Sequence, residues 1–408
     1  MPFYSFIPYI ITNFYGAILP LYLSFNKSYV LLTTFNTPSL FNITHNSHIL
    51  SNFSFFSTVL IIISLIILVI FLLVAVAFFT LAERKVMGAI QRRSGPNIVG
   101  FLGLLQPVAD GLKLILKEII IPKRANAQLF LLAPYLAFVL SVIGWAVIPF
   151  GPGNVISDIN LSVLYIFAVS SLGAYSIIMA GYSSHSRYSF LGSLRAAAQM
   201  VSYEVALGFV IICIAICSGS LNLTHIVITQ NEIQGIWYFI PLYPMFIIFF
   251  ISLLAETNRP PFDLPESESE LVSGYNTEYS SITFALFFLG EYSNILLMCA
   301  LTTILFFGGW GSPFNFFLPA EFFFAIKVVT GAFFFILVRA VLPRYRYDRL
   351  MEIGWKVFLP FTLGYLIFLA SIFTIFQGTP FIEEACICSQ YYVYTNLVSL
   401  NYSTFLFI

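Results

Sequence analysis

The chain has 408 residues, of which 59% are apolar and 9% charged, with 18 Lys and Arg against 18 Asp and Glu. A soluble chain carries about a quarter charged residues, so this composition excludes an ordinary water-soluble enzyme and indicates an all-α polytopic membrane protein. With no net charge, information about partners lies in where the charges sit, and no nucleic-acid partner is implied.

Residues 1–57 form an aromatic, Asn- and Ser-rich leader whose only charge is Lys27. Residues 1–26 hold no Lys or Arg for the charged region of a cleavable targeting signal. Segment 3–25 is apolar but contains Pro8 and Pro20, so it reads as interfacial or broken. From there on, uncharged runs of about 20 residues recur, long enough to cross roughly 30 Å of hydrocarbon. They place eight membrane helices at 58–81, 127–149, 161–181, 197–218, 237–257, 281–308, 322–342 and 357–376. Residues 377–408 form a tail.

The loops test that count. Segments 82–126, 182–196, 258–280 and 343–356 hold 15 of the 18 Lys and Arg, with Arg339 beside the last of them. The alternate loops 150–160, 219–236 and 309–321 hold none. Positive charge gathers on the side from which insertion starts. The four basic loops therefore share the matrix or cytoplasmic face, and the leader and tail take the other.

The first basic loop contains an extra element. In Gln106–Ile119, Gln106, Asp110, Lys113 and Lys117 fall on one helical stripe and Leu105, Val108, Leu112, Leu116 and Ile119 on the opposite one. The spacing predicts an amphipathic helix of about 15 residues lying in the interface plane or against the bundle, with Pro107 suited to its first turn. Asp110, Lys113 and Lys117 should face water or protein, and Leu112 and Leu116 the bundle or lipid.

Glu256–Glu291 is the chemically dense stretch. Seven of the 18 acidic residues fall in these 36 positions, namely Glu256, Asp263, Glu266, Glu268, Glu270, Glu278 and Glu291, with Arg259 as the one basic residue among them. Such a concentration is costly in a bilayer unless it lines water or serves chemistry. Glu204 lies about 10 Å into the fourth expected helix, and Glu291 about 15 Å into the sixth. Packed together, Glu204, Glu256 and Glu291 would step from the charged face to the midplane and pass protons near neutral pH. The plainer alternative is that each is neutralised by a neighbouring hydrogen bond and only orients helices.

Other charges read first as topology determinants: Lys85, Arg92 and Arg93 after the first helix, and Arg344, Arg346, Asp348 and Arg349 after the seventh. Glu83 beside Arg84 is unusual for a stop-transfer cluster and suggests pairing in a polar wall. Lys327 is expected to snorkel to the opposite face. His45, His48, His185 and His225 are placed outside helices and given no role. Cys213, Cys217 and Cys299 sit in apolar helices as packing residues, and Cys386 and Cys388 form a lone C-x-C. There is no metal-ligand spacing, nucleotide-binding glycine pattern, P-loop or iron–sulfur cysteine set. The many Phe (46) and Tyr (23) suit an AT-rich organelle genome.

Four stretches carry a family resemblance: AERKVMGAIQRRSGPNIVGFLGLLQPVADGLKLILKE (82–118), RAAAQMVSYEVALG (195–208), ETNRPPFDLPESESELVSGYNTEYSSITFALFFLGEYSNI (256–295) and LPRYRYDRLMEIGWK (342–356). In order and interval they resemble the quinone-site membrane subunit of NADH:quinone oxidoreductase, respiratory complex I, which in mitochondria is subunit 1. The resemblance covers about residues 58–376. It implies eight tilted helices plus a surface helix on the matrix side. It also implies a subunit of a proton-translocating NADH:ubiquinone reductase in the mitochondrial inner membrane. Ubiquinone would be the substrate, and flavin and iron–sulfur clusters would reside in partner subunits rather than in this chain. The partners implied are the quinone-site subunits of the peripheral arm, neighbouring membrane subunits and lipid.

Carried over by position, the resemblance implies a quinone-tunnel set of Glu83, Arg84, Arg93, Asp110 and Arg344. It implies a proton or coupling path through Glu204, Glu256, Asp263, Glu266, Glu268, Glu270, Glu278 and Glu291, with Arg259 as counter-charge. The leader and tail have no counterpart in the family, and Ser267 stands where Gly or Ala is common. Two other classes compete: a stand-alone ion exchanger, disfavoured by the lack of an internal repeat, and a structural anchor, disfavoured by acids placed inside helices.

Overall fold

The computed structural model describes residues 47–263, 274–312 and 319–375. Glu266, Ser267, Glu268, Glu270, Cys386 and Cys388, and the expectations for residues 1–46 and 377–408, fall outside the described residues. The chain divides into two units, Met1–Leu60 and Ile61–Ile408, and the helical bundle belongs to the second.

Every described element is helical apart from one isolated bridge between Gly151 and Asn154. In chain order the helices are α1 (Ser47–Ile90, of membrane character over Ile62–Ile90), α2 (Gln106–Leu116), α3 (Ala127–Ile143), α4 (Ser162–Ser183), α5 (Arg187–Ser218), α6 (Leu223–Ile228), α7 (Tyr243–Glu256), α8 (Ser281–Phe306), α9 (Ala320–Val341) and α10 (Tyr347–Ile375). Among the described residues seven helices are long and apolar enough to cross a membrane, namely α1, α3 (continued to Val147), α4, α5, α8, α9 and α10. The eighth expected span is present as α7, but it has 14 residues, about 21 Å at the helical rise. Pro241 and Pro244 explain the shortening, because a proline is tolerated in the first turn and not beyond it. From Ser252 to Glu256 all five residues of α7 are buried, so this helix meets protein there rather than lipid.

α5 departs from expectation in the other direction. It begins ten residues before 197, at Arg187, where the Ser186 hydroxyl accepts from Ser189 N at 3.3 Å as an N-cap. The added turns are rich in small residues, and Gly192 lets the helix approach the turn at Gly274, whose Cα lies 3.0 Å from where a Cβ would stand. The helix stops at Gly219, in the left-handed region at φ 71°.

α8 is the axis of the bundle. Every residue from Ile295 to Phe306 is buried, and Thr302 and Thr303 return their hydroxyls to carbonyls one turn back. α5 and α7 pack together, α3 and α9 each lie against α8, and α10 is tied to α5 by the Tyr203 hydroxyl donating to Leu350 O at 2.9 Å.

The surface helix α2 forms, with a proline in its first turn, but it spans 11 residues rather than about 15 because Lys117 leaves it in an extended conformation. Ser281 at the start of α8 holds that end, its hydroxyl donating to Leu114 O at 3.0 Å and to Lys117 O. Leu112 and Leu116 are exposed within this chain, Asp110 is half-buried against Arg84, and Lys113 is exposed. His225 lies inside α6, contrary to its expected place in a loop, and its Nδ1 is 2.8 Å from the Ser220 hydroxyl.

Candidate functional site

Two polar clusters form where the helices meet the segment after α7. The first centres on Glu83, in the penultimate turns of α1. Its Oε1 accepts from Arg259 Nη1 at 3.1 Å and from Arg339 Nη1, and its Oε2 accepts from the Tyr292 hydroxyl at 2.6 Å. The Arg259 guanidinium also lies over the Tyr292 ring, 4.4 Å from its centroid. The Glu83 side chain is 8% exposed, that of Arg259 11% and that of Arg339 34%. Four separate elements thus meet on one carboxylate. Glu83 and Arg84 do not pair with each other, because neighbours on a helix point about 100° apart. Arg84 turns outward to Asp110 at 2.6 Å, and Gln106 Nε2 donates to the other oxygen of Asp110 at 3.0 Å.

Directly after Glu256 the chain leaves α7 in a tight turn. Arg259 enters the first cluster, while Asp263, buried at 3%, meets Arg344 at 3.4 Å. Phe262 stacks on Tyr345, and Tyr345 N donates to Pro261 O at 3.0 Å. Gln199 of α5 spans this turn. Fully buried, its Nε2 donates to Ala255 O at 2.8 Å and to Phe262 O at 2.9 Å.

The second cluster surrounds a cavity of about 70 Å³ between α3, α4, α5 and α8, room for a few water molecules. Glu256 and Glu291 both line it, with Asn258, Tyr275 and Asn294. The Tyr275 hydroxyl donates to Glu291 Oε1. Glu256 is 6% exposed, and among the described residues neither its Oε2 nor Asn258 Oδ1 has a protein hydrogen-bond partner. Glu204, half-buried on α5, lies within Coulombic reach of Glu256 but does not line the cavity. Glu278 is half-buried in the turn preceding α8.

The residues expected to form a tunnel set are therefore dispersed. Glu83 is in the buried cluster, Arg84 and Asp110 form a surface pair, and Arg344 is paired with Asp263. Arg93 is exposed, with its Nε on Gln91 Oε1 at 2.7 Å. Arg259, expected as counter-charge to the acids, pairs with Glu83. Sequence reasoning does not single out Tyr275, Tyr292, Gln199 or Arg339 as site residues. The two tyrosines are indistinguishable by sequence from the many others, and Arg339 reads as one more basic residue near a helix end. Gln199 does carry a signal, as an amide inside a run of small apolar residues. Among the described residues no group of three or more His, Cys, Asp or Glu is placed to hold a metal ion.

Known proteins share this sequence over most of its length. Residues 63–370 match the family model described as NADH dehydrogenase. The chain is 58% identical over 324 residues to the NADH-ubiquinone oxidoreductase chain 1 of Chondrus crispus, an alignment covering 78% of this chain and 98% of the relative. It is 57% identical over 309 residues to the protein of the same name from Arabidopsis thaliana, covering 75% and 94%. Identity to an NADH-quinone oxidoreductase subunit of Rhodospirillum rubrum is 58% over 311 residues, covering 75% and 91%.

Proposed function

The chain belongs to the NADH dehydrogenase family of NADH-quinone oxidoreductase membrane subunits, and from that premise we propose that it admits ubiquinone from the lipid and converts quinone reduction into proton movement. It is a multi-pass membrane protein; its place would be the mitochondrial inner membrane, among the quinone-site subunits of the peripheral arm and neighbouring membrane subunits. Electrons would arrive from flavin and iron–sulfur clusters held by those partners.

Reducing a quinone builds negative charge on its head group and draws protons toward it. The residues of this chain answer that charge in two ways. Arg84 near the end of α1, Asp110 on α2, and Arg93 and Arg344 on the segments after α1 and α9 would supply the polar rim of an entry for the head group. Glu256 and Glu291, with Glu204 behind them, offer carboxyls at the cavity as successive proton holders. The turn Glu256–Asp263 joins the two: Glu256 lines the cavity, while Arg259 is fixed to Glu83 and Asp263 to Arg344. Charge at the basic loops that pulls on Arg259 or Arg344 therefore displaces the segment carrying Glu256. Asp263, Glu266, Glu268, Glu270 and Glu278 would extend the acidic route along the loop beyond that turn.

The observation that carries this reading is the sharing of one cavity by Glu256 and Glu291, which come from different helices, with an oxygen of Glu256 buried and unmet by any group among the described residues. Water or a proton is the natural complement of such an atom. The test is Glu204→Gln and Glu291→Gln, which keep volume and remove the titrating proton. NADH:quinone turnover and proton uptake per assembled complex should both fall by more than the amount of assembled complex does. Full coupled turnover in both variants would reduce these acids to helix-orienting groups.

A further inference from the structure

Lys327 does not snorkel. It lies in α9 between outward-facing Ile326 and Val329, yet its ammonium turns inward and donates to three backbone carbonyls, Phe307 O at 2.7 Å, Gly309 O at 2.9 Å and Gly311 O at 2.7 Å. The Trp237 ring covers a further side, with its centroid 4.6 Å from Nζ. An ammonium has three N–H donors, and here each has a carbonyl.

The carbonyls belong to the chain just past the end of α8. A helix leaves its last four carbonyls without partners inside it, and here all four are met from outside the helix. Thr303 O accepts from Phe307 N and Gly309 N, Ile304 O and Leu305 O accept from Gln230 Nε2, and Phe306 O accepts from Phe239 N. Beyond them Phe307, Gly309 and Gly311 aim their carbonyls at one point, while Gly308 O accepts from Gly311 N at 2.9 Å. Gly308 and Gly309 have φ of 65° and 50°, in the left-handed region glycine favours. Gln230 Oε1 takes Gly308 N at 3.0 Å, and Asn231 Nδ2 donates to Gly308 O at 2.9 Å. The turn is thus held from behind by groups that do not touch the ammonium.

We propose that the Phe307–Gly311 turn, closed by Trp237, is an internal ammonium site, and that Lys327 is its tethered occupant, a positioning residue that sets the register of α9 against α8. The same two helices meet at their other ends around Glu83, through Tyr292 and Arg339. The ties are about 22 Å apart along α8 and about 18 Å apart along α9, so a slip at Lys327 is transmitted to the Glu83 cluster. A guanidinium does not replace the lysine, because its planar fork points its donors outward in one plane rather than toward three convergent carbonyls.

The inference stands apart from the proton path, and its test reads differently. In membranes carrying the complete enzyme, Lys327→Ala should shorten the half-life of quinone reductase activity at elevated temperature by roughly tenfold. Millimolar methylammonium or ethylammonium should restore much of that loss, whereas tetramethylammonium, of equal charge but without N–H donors, should not. Lys327→Arg should lose nearly as much as Lys327→Ala. Trp237→Leu, which leaves the carbonyls in place, should give an intermediate half-life and serves as the readout if Lys327→Ala does not assemble. A wild-type half-life in Lys327→Ala or in Trp237→Leu overturns the proposal. So does a deficit that primary ammonium ions leave unchanged, or that tetramethylammonium relieves equally.

Discussion

Glu83→Gln is the sharpest perturbation the structure offers. It keeps the shape of the side chain and removes the charge that two guanidiniums and a phenol hydroxyl share. Removing one partner of a buried ion pair costs about 3–5 kcal/mol, because the other charge is left in low dielectric. Two features place this case at the lower end. Arg339 is 34% exposed and regains water, and Arg259 keeps its position over Tyr292. A loss of about 3 kcal/mol results, and if half of it reaches the inactivation barrier, thermal inactivation quickens about tenfold.

The assay is the half-life of NADH:quinone activity in membranes at a fixed elevated temperature, beside the amount of assembled complex on a native gel. A cycle with Arg339→Met separates charge from shape. Arg339→Met alone should cost less than Glu83→Gln, and the double variant should be more stable than the sum of the two predicts, since it carries one stranded cation fewer. Sites that do not interact add to within about 0.5 kcal/mol. Additivity of that quality, or a wild-type half-life in Glu83→Gln, refutes the claim that this carboxylate holds the four elements together.

Two further variants probe the flanks of that cluster. Gln199→Met, of similar volume, takes from the buried Phe262 carbonyl its amide donor and leaves the Ala255 carbonyl to the backbone Asn258 N at 3.3 Å, at about 1–3 kcal/mol; assembled complex should fall, and the residual enzyme should lose turnover because the turn carrying Arg259 is loosened. Asp110→Asn breaks a pair whose side chains are 52% and 38% exposed, worth at most about 1 kcal/mol; assembly should hold, and a rise in KM for a long-chain quinone with little change for a short water-soluble one would place the pair at the entry, while equal kinetics with both would remove it from there.

The helical spans are legible because hydrocarbon imposes one rule along the whole chain: an apolar length of about 20 residues and a basic side. The exceptions are places where another protein surface replaces lipid. Hydropathy predicts α7 at full length, yet its C-terminal half is buried in protein, which relaxes the length requirement. A start at 197 is expected for α5 because Arg187 and Arg195 look like loop charges, but a helix continues wherever its backbone is satisfied, and Ser186 caps it. Lys327 departs from the snorkelling expectation for a related reason. Snorkelling weighs ammonium against water alone, whereas a folded chain also offers carbonyls, and those past α8 are brought to it from about twenty positions away in sequence. The acids themselves are visible from composition. Their partners are not, because Tyr275 and Tyr292 carry no pattern that separates them from packing residues.

The turn after α7 links these surroundings. Glu256, Arg259 and Asp263 span eight residues and have three different environments: a cavity shared with Glu291, the Glu83 cluster, and Arg344 on the loop after α9. Both ends of the turn hang on the single amide of Gln199. A segment this short and this cross-tied cannot move one of its charges and leave the others in place, since its interior is packed and its carbonyls at Ala255 and Phe262 have the same donor. Under the proposed function, displacement of Arg344 or Arg259 would reach Glu256 as a change in its distance from Glu291 and Glu204. The proposed coupling between the basic loops and the cavity would need no moving helix, only a shift of this turn, and Gln199→Met should weaken it more than it weakens either cluster alone.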